Sequence, residues 1–475
     1  MAQYKTPGVY VEEKSMLPPS VAGVATAVPA FIGFTKNAAK KSIQPISSLL
    51  EYETVFGGGN AITYEKGKTA EKGKAAEGGK VKGYEYALYD SMRLFYDNGG
   101  GNCYVVSIGT YATKATTKAY TEAITLLEQQ SDVTLLVFPD AAMLLATAAE
   151  LATVQMQALK HCAKVGGRFA ILDLKPGKDG VLKDDLLAFR NGVTDALCYG
   201  AAYYPYLKTT YAKDIAFEQV VAALPEAIEG TPEEQAAYTT LIAKAKDIIA
   251  LPQNDPAKQL KINAIVPQIP GYAEALADIQ DQACVIPPSG AIAGLYASTD
   301  GRVGVWQAPA NIGIASVKDL TMHVSDLQQE DMNVDPETAK SVNAIRYFKG
   351  KGILVWGSRT LDGGSNEWRY VPVRRLFSYV EQSVKLSTSW AVFQPNDSNT
   401  WIKIKCQIAN FLSTLWRDGA LAGASADEAF FVEVGKGVTM TEDDINNGYL
   451  RVRIGLAAVR PAEFIVLEFS HKVQE

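Results

Sequence analysis

Few residues in this sequence have the spacing that a catalytic or metal site requires. Its 475 residues include three histidines, His161, His323 and His471, which are far apart, and five cysteines without a C-x-x-C pair. Zinc sites use closely spaced Cys and His ligands, and disulfide frameworks use an even set of cysteines. No G-x-S-x-G, H-E-x-x-H or EF-hand motif occurs. The sequence therefore predicts no catalytic residue, no metal site, no cofactor and no enzyme, and its odd cysteines fit reduced thiols in a cytoplasm.

Two glycine-containing segments approach nucleotide-binding motifs without completing them. Gly67-Lys68-Thr69 matches the end of a P-loop, but Ile62 stands where that motif requires glycine. The glycine run at 98–102 departs from G-x-G-x-x-G, because Tyr104 occupies the place of the third glycine. Neither segment predicts a nucleotide site.

Glu442-Asp443-Asp444 is a carboxylate cluster that invites two interpretations. Carboxylate oxygens can bind a divalent cation. Alternatively, Thr441 and Asp444 have the spacing of a helix N-cap, where acidic side chains stabilise the positive end of the helix dipole. We favour the N-cap.

Arginines and tyrosines suggest binding surfaces elsewhere, again with a structural alternative. Arg369, Arg374 and Arg375 lie near Trp368 and Tyr370, so they could contact nucleic acid or form ion pairs. The chain has 46 basic and 52 acidic residues, a net charge of −6, which provides no overall positive field for nucleic acid. Ion pairing is the favoured interpretation, and no nucleic-acid partner is predicted.

Tyr203-Tyr204-Pro205-Tyr206 could form a ligand-stacking surface. Because tyrosine is common in protein cores and interfaces, packing is the favoured interpretation there.

Composition predicts a folded protein that does not insert into a membrane. Apolar residues make up 47% of the chain and charged residues 21%, close to the globular average. The best membrane candidate, residues 21–34, is 14 residues long and contains Pro29, whereas a spanning helix needs about 20 apolar residues. The N-terminus lacks the pattern of a secretory signal peptide. We expect a cytoplasmic protein in the producing cell.

Hydrophobic periodicity predicts a mixed α/β (α+β) fold. Residues 21–35 read as a first core strand or strand pair, and strands and helices alternate from 84 to 204, for example a helix at 141–164 followed by a strand at 169–174. Residues 211–281 read as helical, and residues 57–83, rich in Gly, Lys and Glu, read as a mobile surface loop. All six tryptophans lie beyond residue 300, which suggests a separate core in that half.

Both ends of the chain have the alternating pattern of strands with no covering element. An unpaired strand exposes backbone donors and acceptors that invite pairing with another chain. The two arms, residues 6–13 and 463–472, therefore indicate assembly. One arm strand would bind weakly, but repetition through a lattice makes later contacts effectively intramolecular.

Motifs along the chain resemble those of the contractile tail sheath proteins of the phage tail and contractile injection system superfamily. The resemblance covers both ends and the C-terminal half. Its residues are Thr6-Pro7-Gly8-Val9-Tyr10-Val11-Glu12-Glu13, Asn98-Gly99-Gly100-Gly101-Asn102-Cys103-Tyr104-Val105, Pro287-Pro288-Ser289-Gly290-Ala291-Ile292-Ala293-Gly294-Leu295-Tyr296, Ala308-Pro309-Ala310-Asn311, Trp356-Gly357-Ser358-Arg359-Thr360-Leu361, Trp368-Arg369-Tyr370-Val371, Arg374-Arg375-Leu376, Phe393-Gln394-Pro395-Asn396-Asp397 and Arg460-Pro461-Ala462-Glu463-Phe464.

The resemblance implies a structural subunit that forms stacked hexameric rings around an inner tube protein. Such a sheath contracts from an extended metastable state, triggered at a baseplate, and drives the tube through a target envelope. Baseplate and terminal cap proteins would be further partners. The implied inter-subunit arm residues are Thr6, Pro7, Gly8, Val9, Tyr10, Val11, Glu12, Glu463, Phe464, Ile465, Val466, Leu467, Glu468 and Phe469.

The same resemblance divides the chain into five segments. Residues 1–20 would be the N-terminal arm and linker, 21–109 the N-terminal part of the sheath fold with the loop 57–83, and 110–286 an inserted outward α/β and helical domain. Residues 287–462 would be the C-terminal sheath core, and 463–475 the C-terminal arm. The middle of the chain departs from the shared pattern, so only an outward decoration is inferred there.

A helix predicted at 399–417 carries the candidate tube contact. Lys403, Lys405 and Arg417 would face an acidic tube surface, and the alternative is an ordinary core helix with solvated charges. Two other functions stay open from sequence. One is a soluble α/β enzyme that uses the middle domain, and the other is a static tube-forming structural protein.

Overall fold

The computed structural model describes residues 20–38, 43–66, 79–177 and 180–464. The strands in these ranges are β1 Pro29–Thr35, β2 Gln44–Ile46, β3 Thr63–Glu65, β4 Lys80–Lys82, β5 Cys103–Thr110, β6 Leu135–Val137, β7 Phe169–Asp173, β8 Gly200–Tyr204, β9 Leu207–Thr209, β10 Val285–Ile286, β11 Ile312–Gly313, β12 Val317–Leu320, β13 Asn343–Phe348, β14 Gly352–Val355, β15 Phe430–Val434 and β16 Val452–Leu456.

The helices in the same ranges are α1 Leu49–Phe56, α2 Leu88–Asp97, α3 Thr117–Leu126, α4 Pro139–Leu144, α5 Ala148–Val165, α6 Leu182–Gly192, α7 Phe217–Ala223, α8 Pro232–Ile249, α9 Lys258–Ile265, α10 Tyr272–Ala283, α11 Ser289–Arg302, α12 Asp326–Asn333, α13 Val371–Ser387, α14 Ser398–Arg417, α15 Ala426–Ala429 and α16 Glu442–Asn446. Strands and helices thus alternate through much of the chain, and the expected mixed α/β class is confirmed.

A nine-stranded sheet organises the larger part of the chain. Its order is β11-β14-β13-β8-β7-β6-β1-β5-β2. The strands from β5 through β1, β6, β7 and β8 to β13 run parallel, and β2, β14 and β11 add antiparallel edges. Every residue of β1, β7 and β8 is buried, as expected for parallel strands covered on both faces.

Alternate side chains of β1 enter two cores on opposite faces of this sheet. Ile32 and Phe34 join a core that includes residues of α3 and α5. Phe31 joins a core that includes residues of α2 and α11. Helices α2 and α11 pack at backbone distance, since a Cβ added at Gly294 would lie 2.5 Å from the Phe95 carbonyl oxygen. The sheet is therefore the centre of a three-layer arrangement.

The separate core that the tryptophan distribution suggested beyond residue 287 is wrong for residues 289–355, whereas residues 379–459 do form a compact unit. Helix α11 and strands β13 and β14 belong to the same sheet and cores as β1 and β5. The sheet also takes strands from the three predicted segments 21–109, 110–286 and 287–462. The assignment of 110–286 to an outward-facing position stays a prediction.

Contacts within the described chain separate it into two compact units, whose boundaries differ from those of the predicted segments. One unit comprises residues 25–378 with 460–464, and the other comprises residues 20–24 with 379–459. The second unit contains α14, whose buried stripe includes Ile404, Ile408 and Leu412, and the antiparallel hairpin of β15 and β16. The predicted helix at 399–417 is thus confirmed, one residue longer at its start.

Several predicted elements differ in their bounds for identifiable reasons. The strand expected over 21–35 begins only at Pro29, and residues 21–28 have no regular structure. The helix expected over 141–164 is two helices, because Thr147 and Glu150 form a capping box that starts α5. The loop expected over 57–83 contains a hairpin in which Tyr64 pairs with Val81, which is buried. Residues 67–78 of that loop lie outside the described residues.

Candidate assembly surfaces

The predicted arm residues fall mostly outside the described part of the chain. Residues 6–13 and 465–472 are not described, so the strand predictions for them stay predictions. Glu463 and Phe464, at the root of the C-terminal arm, are described and have no regular secondary structure. Phe464 is 74% exposed. Glu463 and Phe464 are therefore the residues of the C-terminal arm whose contacts can be described.

Glu463 is held by a network of hydrogen bonds centred on Arg359. Nε of Arg359 donates to both carboxylate oxygens of Glu463, at 2.8 and 3.1 Å, and Nη2 donates to Oε2 at 2.5 Å. The Tyr370 hydroxyl donates to Oε2 at 3.1 Å. Such multidentate contacts are the strongest class of arginine–carboxylate pair. We call these three residues, Arg359, Tyr370 and Glu463, the arm-root clamp.

Arg359 is itself fixed in place from both sides of its backbone. Its N–H donates to Asn343 Oδ1 at 2.8 Å, and Asn343 Nδ2 donates to its carbonyl oxygen at 2.8 Å. Asn343 is the first residue of β13, in the central sheet. The Arg359 side chain is 5% exposed and that of Glu463 is 23% exposed. The backbone of Arg359 is thus anchored to the central sheet by contacts that do not involve the arm.

The electrostatics of the clamp favour an ionised Glu463. Partial burial of this carboxyl raises its pKa, but hydrogen bonding and charge attraction from Arg359 act in the opposite direction, and the net result is a pKa below the usual value. Hydrogen bonds from the side chains of Tyr370 and Asn333 add to this lowering. Glu463 therefore carries its negative charge at neutral pH.

The hairpin of β15 and β16 is the second candidate surface. Its strands pair antiparallel from Phe430 with Leu456 to Val434 with Val452. Within the described ranges this sheet has two strands, and residues 420–422 pair with 457–459 just beyond the end of β16. The outer edges of β15 and β16 themselves have no strand partner in those ranges. Phe431 is 49% exposed on β15. A short, partly apolar sheet with open edges is the type of structure that accepts an added strand.

Helix α14 carries the predicted tube-contact residues. Lys403, Lys405 and Arg417 are all exposed, and the apolar stripe of the helix is buried. At 100° per residue, Lys403 and Arg417 lie within about 40° of each other, whereas Lys405 lies about 160° from Lys403. About 21 Å of helix separates Lys403 from Arg417. The helix brings Lys403 and Arg417 to one face and leaves Lys405 at the opposite border of the exposed surface.

The other chemical candidates have structural explanations. Thr441 and Asp444 form a reciprocal capping box at the start of α16, which confirms the N-cap interpretation. The hydroxyls of Tyr203, Tyr204 and Tyr206 all make buried hydrogen bonds, which confirms packing.

The arginine cluster also has structural partners. Arg375 forms a buried ion pair with Asp300, which confirms the ion-pairing interpretation for this residue. The guanidinium of Arg374 lies 4.2 Å from the centre of the Trp368 ring. Arg369 donates from Nε to the Gly363 carbonyl oxygen at 3.1 Å.

A metal-ion cluster and a membrane-spanning helix are both absent from the described residues. No group of three or more His, Cys, Asp or Glu side chains is arranged to hold a metal ion in the part of the chain that the structure describes. No helix there is long and apolar enough to cross a membrane.

Similarity to known proteins extends over the whole chain. Residues 364–472 match the family described as phage tail sheath C-terminal domain. The sheath of the PVC extracellular contractile injection system in its contracted state is 29% identical, with a TM-score of 0.64 over 100% of this chain and 99% of that one. The contracted helical sheath of the anti-feeding prophage is 28% identical, with a TM-score of 0.62 over 99% of this chain and all of that one. Over its full length this chain is thus similar to the sheath proteins of contractile injection systems.

Phage tail sheath proteins share a smaller part of the sequence. The tail sheath protein of Vibrio phage KVP40 is 26% identical over 130 residues, and that of Enterobacteria phage T4 is 23% identical over 127 residues. Each alignment covers 27% of this chain and 19% of the phage protein. The chain thus spans about a fifth of the length of these curated relatives in alignment.

Sequence reasoning missed the partner of Glu463. The segments 356–361 and 460–464 were both recognised as sheath motifs, but nothing in their spacing connects Arg359 with a glutamate 104 residues later. A signal was present, since one motif carries a lone arginine and the other a lone glutamate. The fold supplies the connection by placing both beside β13.

Proposed function

We propose that this chain is a structural subunit of a contractile sheath. It assembles as stacked hexameric rings around an inner tube protein and contracts from an extended metastable state, which drives the tube through a target envelope. The observation that carries the proposal is the likeness, over the full chain, to sheaths solved in the contracted state. The subunit has no enzymatic role in this proposal.

Strand exchange between subunits is the proposed means of assembly. The C-terminal arm leaves the larger unit at the clamp, and the hairpin of β15 and β16 offers edges that such a strand could extend. The N-terminal arm, residues 6–13, supplies a second strand. In this mode backbone hydrogen bonds provide affinity and alternate side chains provide specificity.

One such contact is weak, and a lattice of them is strong. The hairpin strands are five residues long, so an added strand gains about five hydrogen bonds at a net ~1 kcal/mol each. Ordering the same residues costs about 1–2 kcal/mol each, which offsets the whole of that gain or more. Once a ring has formed, further contacts become effectively intramolecular and the avidity rises. Flexible connections between rigid units would also let rings rearrange without coming apart.

The remaining partners follow from the same proposal. The inner tube would contact α14 through Lys403 and Arg417, which share a face, whereas Lys405 lies about 160° away from Lys403 around the helix. Baseplate and terminal cap proteins would bind the two ends of the sheath, and one solved structure similar to this chain is an anti-feeding prophage baseplate. Residues 110–286 would face outward. Assembly would take place in the cytoplasm of the producing cell.

Electron microscopy tests the proposal against a static tube and against an enzyme. The full chain, expressed alone in a cytoplasm and again with its cognate tube and baseplate, is imaged in negative stain. We expect striated hollow cylinders from the chain alone and a longer, narrower form with the tube. One lattice geometry in both samples would favour a static tube, and dispersed monomers in both would favour the soluble enzyme.

A further inference from the structure

We propose that Arg359 is the positioning residue for the C-terminal arm, and that the arm-root clamp fixes where and in which direction the arm leaves its own subunit. This inference rests on the proposed function, in which the arm pairs with a neighbouring subunit. It assigns a specific ion pair, Arg359 with Glu463, to the root of the arm that would connect subunits. The arm would then extend from a fixed root at Glu463.

The first argument is that the carboxylate is the group by which the root is held. Ala462 and Phe464 are exposed on either side of Glu463. Glu463 itself is exposed as a whole residue, yet its side chain is only 23% exposed because the carboxylate inserts toward Arg359. A root without apolar burial gains little from the hydrophobic effect. Its position therefore depends on the hydrogen-bonded ion pair.

The second argument is that the receiving site is built before the arm enters it. Asn343 holds the backbone of Arg359 on both sides, and Nη1 of Arg359 donates to the Gly363 carbonyl oxygen at 3.4 Å. The Tyr370 and Arg359 backbones also form an antiparallel bridge, which places the phenol beside the guanidinium. A donor set fixed in this way loses little side-chain entropy when the carboxylate binds.

The third argument concerns what Arg359 would do without Glu463. Its side chain is 5% exposed, and the described carboxylate within reach of it is Glu463. A buried cation that loses its partner is strongly unfavourable, more so than the loss of an exposed ion pair. The chain thus has a strong preference for the arm root in the clamp. Salt has little effect on such a pair, because screening acts mainly on exposed charges.

Spin labelling of the full chain tests this proposal. A nitroxide is attached at Phe464→Cys, an exposed position, in a background with Cys198→Ser and Cys406→Ser, which leaves buried thiols at Cys103, Cys162 and Cys284. The line shape reports the ratio of mobile to immobile label on dispersed subunits. Glu463→Gln should raise this ratio at least tenfold, because a hydrogen-bonded charge pair is replaced by a neutral amide.

Two further variants separate positioning from a general structural role. Arg359→Lys keeps the charge but loses the bidentate geometry, so it should release the label partly. Glu128→Gln is the matched control, since Glu128 pairs with Lys164 at 2.8 Å on an exposed surface. The control should leave the label immobile. Combining Arg359→Lys with Glu463→Gln should release the label no further than Glu463→Gln, because both act on one contact.

An immobile label in Glu463→Gln, with the same line shape as the parent, would overturn the clamp. Release of the label by Glu128→Gln to the same extent would also overturn it, because the effect would then be general. These measurements use dispersed subunits, so they stand even where the parent chain forms no striated cylinders. The absence of striated cylinders, with the chain alone and with its tube and baseplate, would refute the proposed sheath function and leave the clamp intact.

Discussion

Two buried aspartates make the free energy of unfolding depend on pH in an unusual direction. Asp140 Oδ2 accepts from the Phe34 N–H and its Oδ1 accepts from the Leu88 N–H at the start of α2, each at 2.7 Å. Asp173 accepts from the Ser289 N–H at 2.9 Å at the start of α11. Both carboxylates thus hold the N-terminus of a helix that packs on the central sheet. Substituting Asp140 by Asn and measuring the free energy of unfolding across a range of pH tests this dependence.

Burial controls the pKa of both groups. Desolvation raises the pKa of Asp140 and that of Asp173 to about 7, although hydrogen bonds from backbone N–H groups, and for Asp173 from Ser289, act to lower it. The folded state therefore holds the proton more tightly than the unfolded state, in which an aspartate titrates near 3.9. This contribution to stability is fully present below about pH 4 and is lost as pH rises to about 7.

The size of the effect follows from the difference in pKa. A difference of about three units corresponds to at most about 4 kcal/mol for each aspartate, at 1.36 kcal/mol per unit. Asp140→Asn removes the titration. It also places an amide N–H₂ against a backbone N–H, which costs about 1–3 kcal/mol at every pH. The variant should be less stable in acid, and its stability relative to the parent should improve by up to about 4 kcal/mol between pH 4 and pH 7.

Urea unfolding of dispersed subunits, followed by circular dichroism at intervals of half a pH unit, measures that difference. Asp184→Asn is the matched control, since Asp184 is an exposed residue of α6. Its difference from the parent should be flat over the same window. A flat difference for Asp140→Asn would refute the reasoning, because the buried carboxylate would then titrate as it does in the unfolded chain.

Three further predictions concern assembly. Deleting residues 1–13 should leave a folded chain that no longer forms long cylinders in negative stain, because the exchanged strand is missing, and cylinders of normal length would contradict the arm hypothesis. Inserting a few flexible residues at Pro18-Pro19 should allow assembly but block contraction, since rings would be uncoupled, and unchanged contraction would contradict the tether role. Reversing the charge of Lys403 together with Arg417 should weaken tube binding in a salt-dependent manner without lowering the melting temperature, because both side chains are exposed. Lys118→Glu on α3 is the control. Tube binding at low salt equal to that of the parent would exclude this face of α14 as the tube contact.

Sequence periodicity identified the elements of this fold better than it identified their grouping. Helix α14 and strand β7 were predicted almost to the residue, because their apolar spacing is regular. The joining of β13 and β14 to strands that precede them by more than a hundred residues has no local signal, since pairing between distant strands depends on the whole sheet. Because the sequence does not reveal this long-range pairing, the tryptophan distribution alone suggested a separate core.

The candidate surfaces show the same limit. The exposed cations of α14 could be read from the sequence, because an amphipathic helix places charges opposite its apolar stripe. The clamp could not, since Arg359 and Glu463 meet only through the tertiary fold. The open edges of the β15 and β16 hairpin also become visible only when the strand order is known.

The path of the chain between β9 and β10 has a consequence for engineering. Lys208 pairs with Val285 and Leu207 with Ile286, so the helices α7 to α10 leave and return on neighbouring antiparallel strands. Paired strands lie about 4.8 Å apart, a gap that a short turn can close. The helical excursion therefore begins and ends at one place on a small sheet formed by β10, β9 and β12, and its helices share an apolar cluster with Ile62 and Val81. A foreign domain inserted between these two strands would leave the nine-stranded sheet, the clamp and the β15 and β16 hairpin unchanged in sequence, provided that the insertion spares the residues packed on Ile62 and Val81.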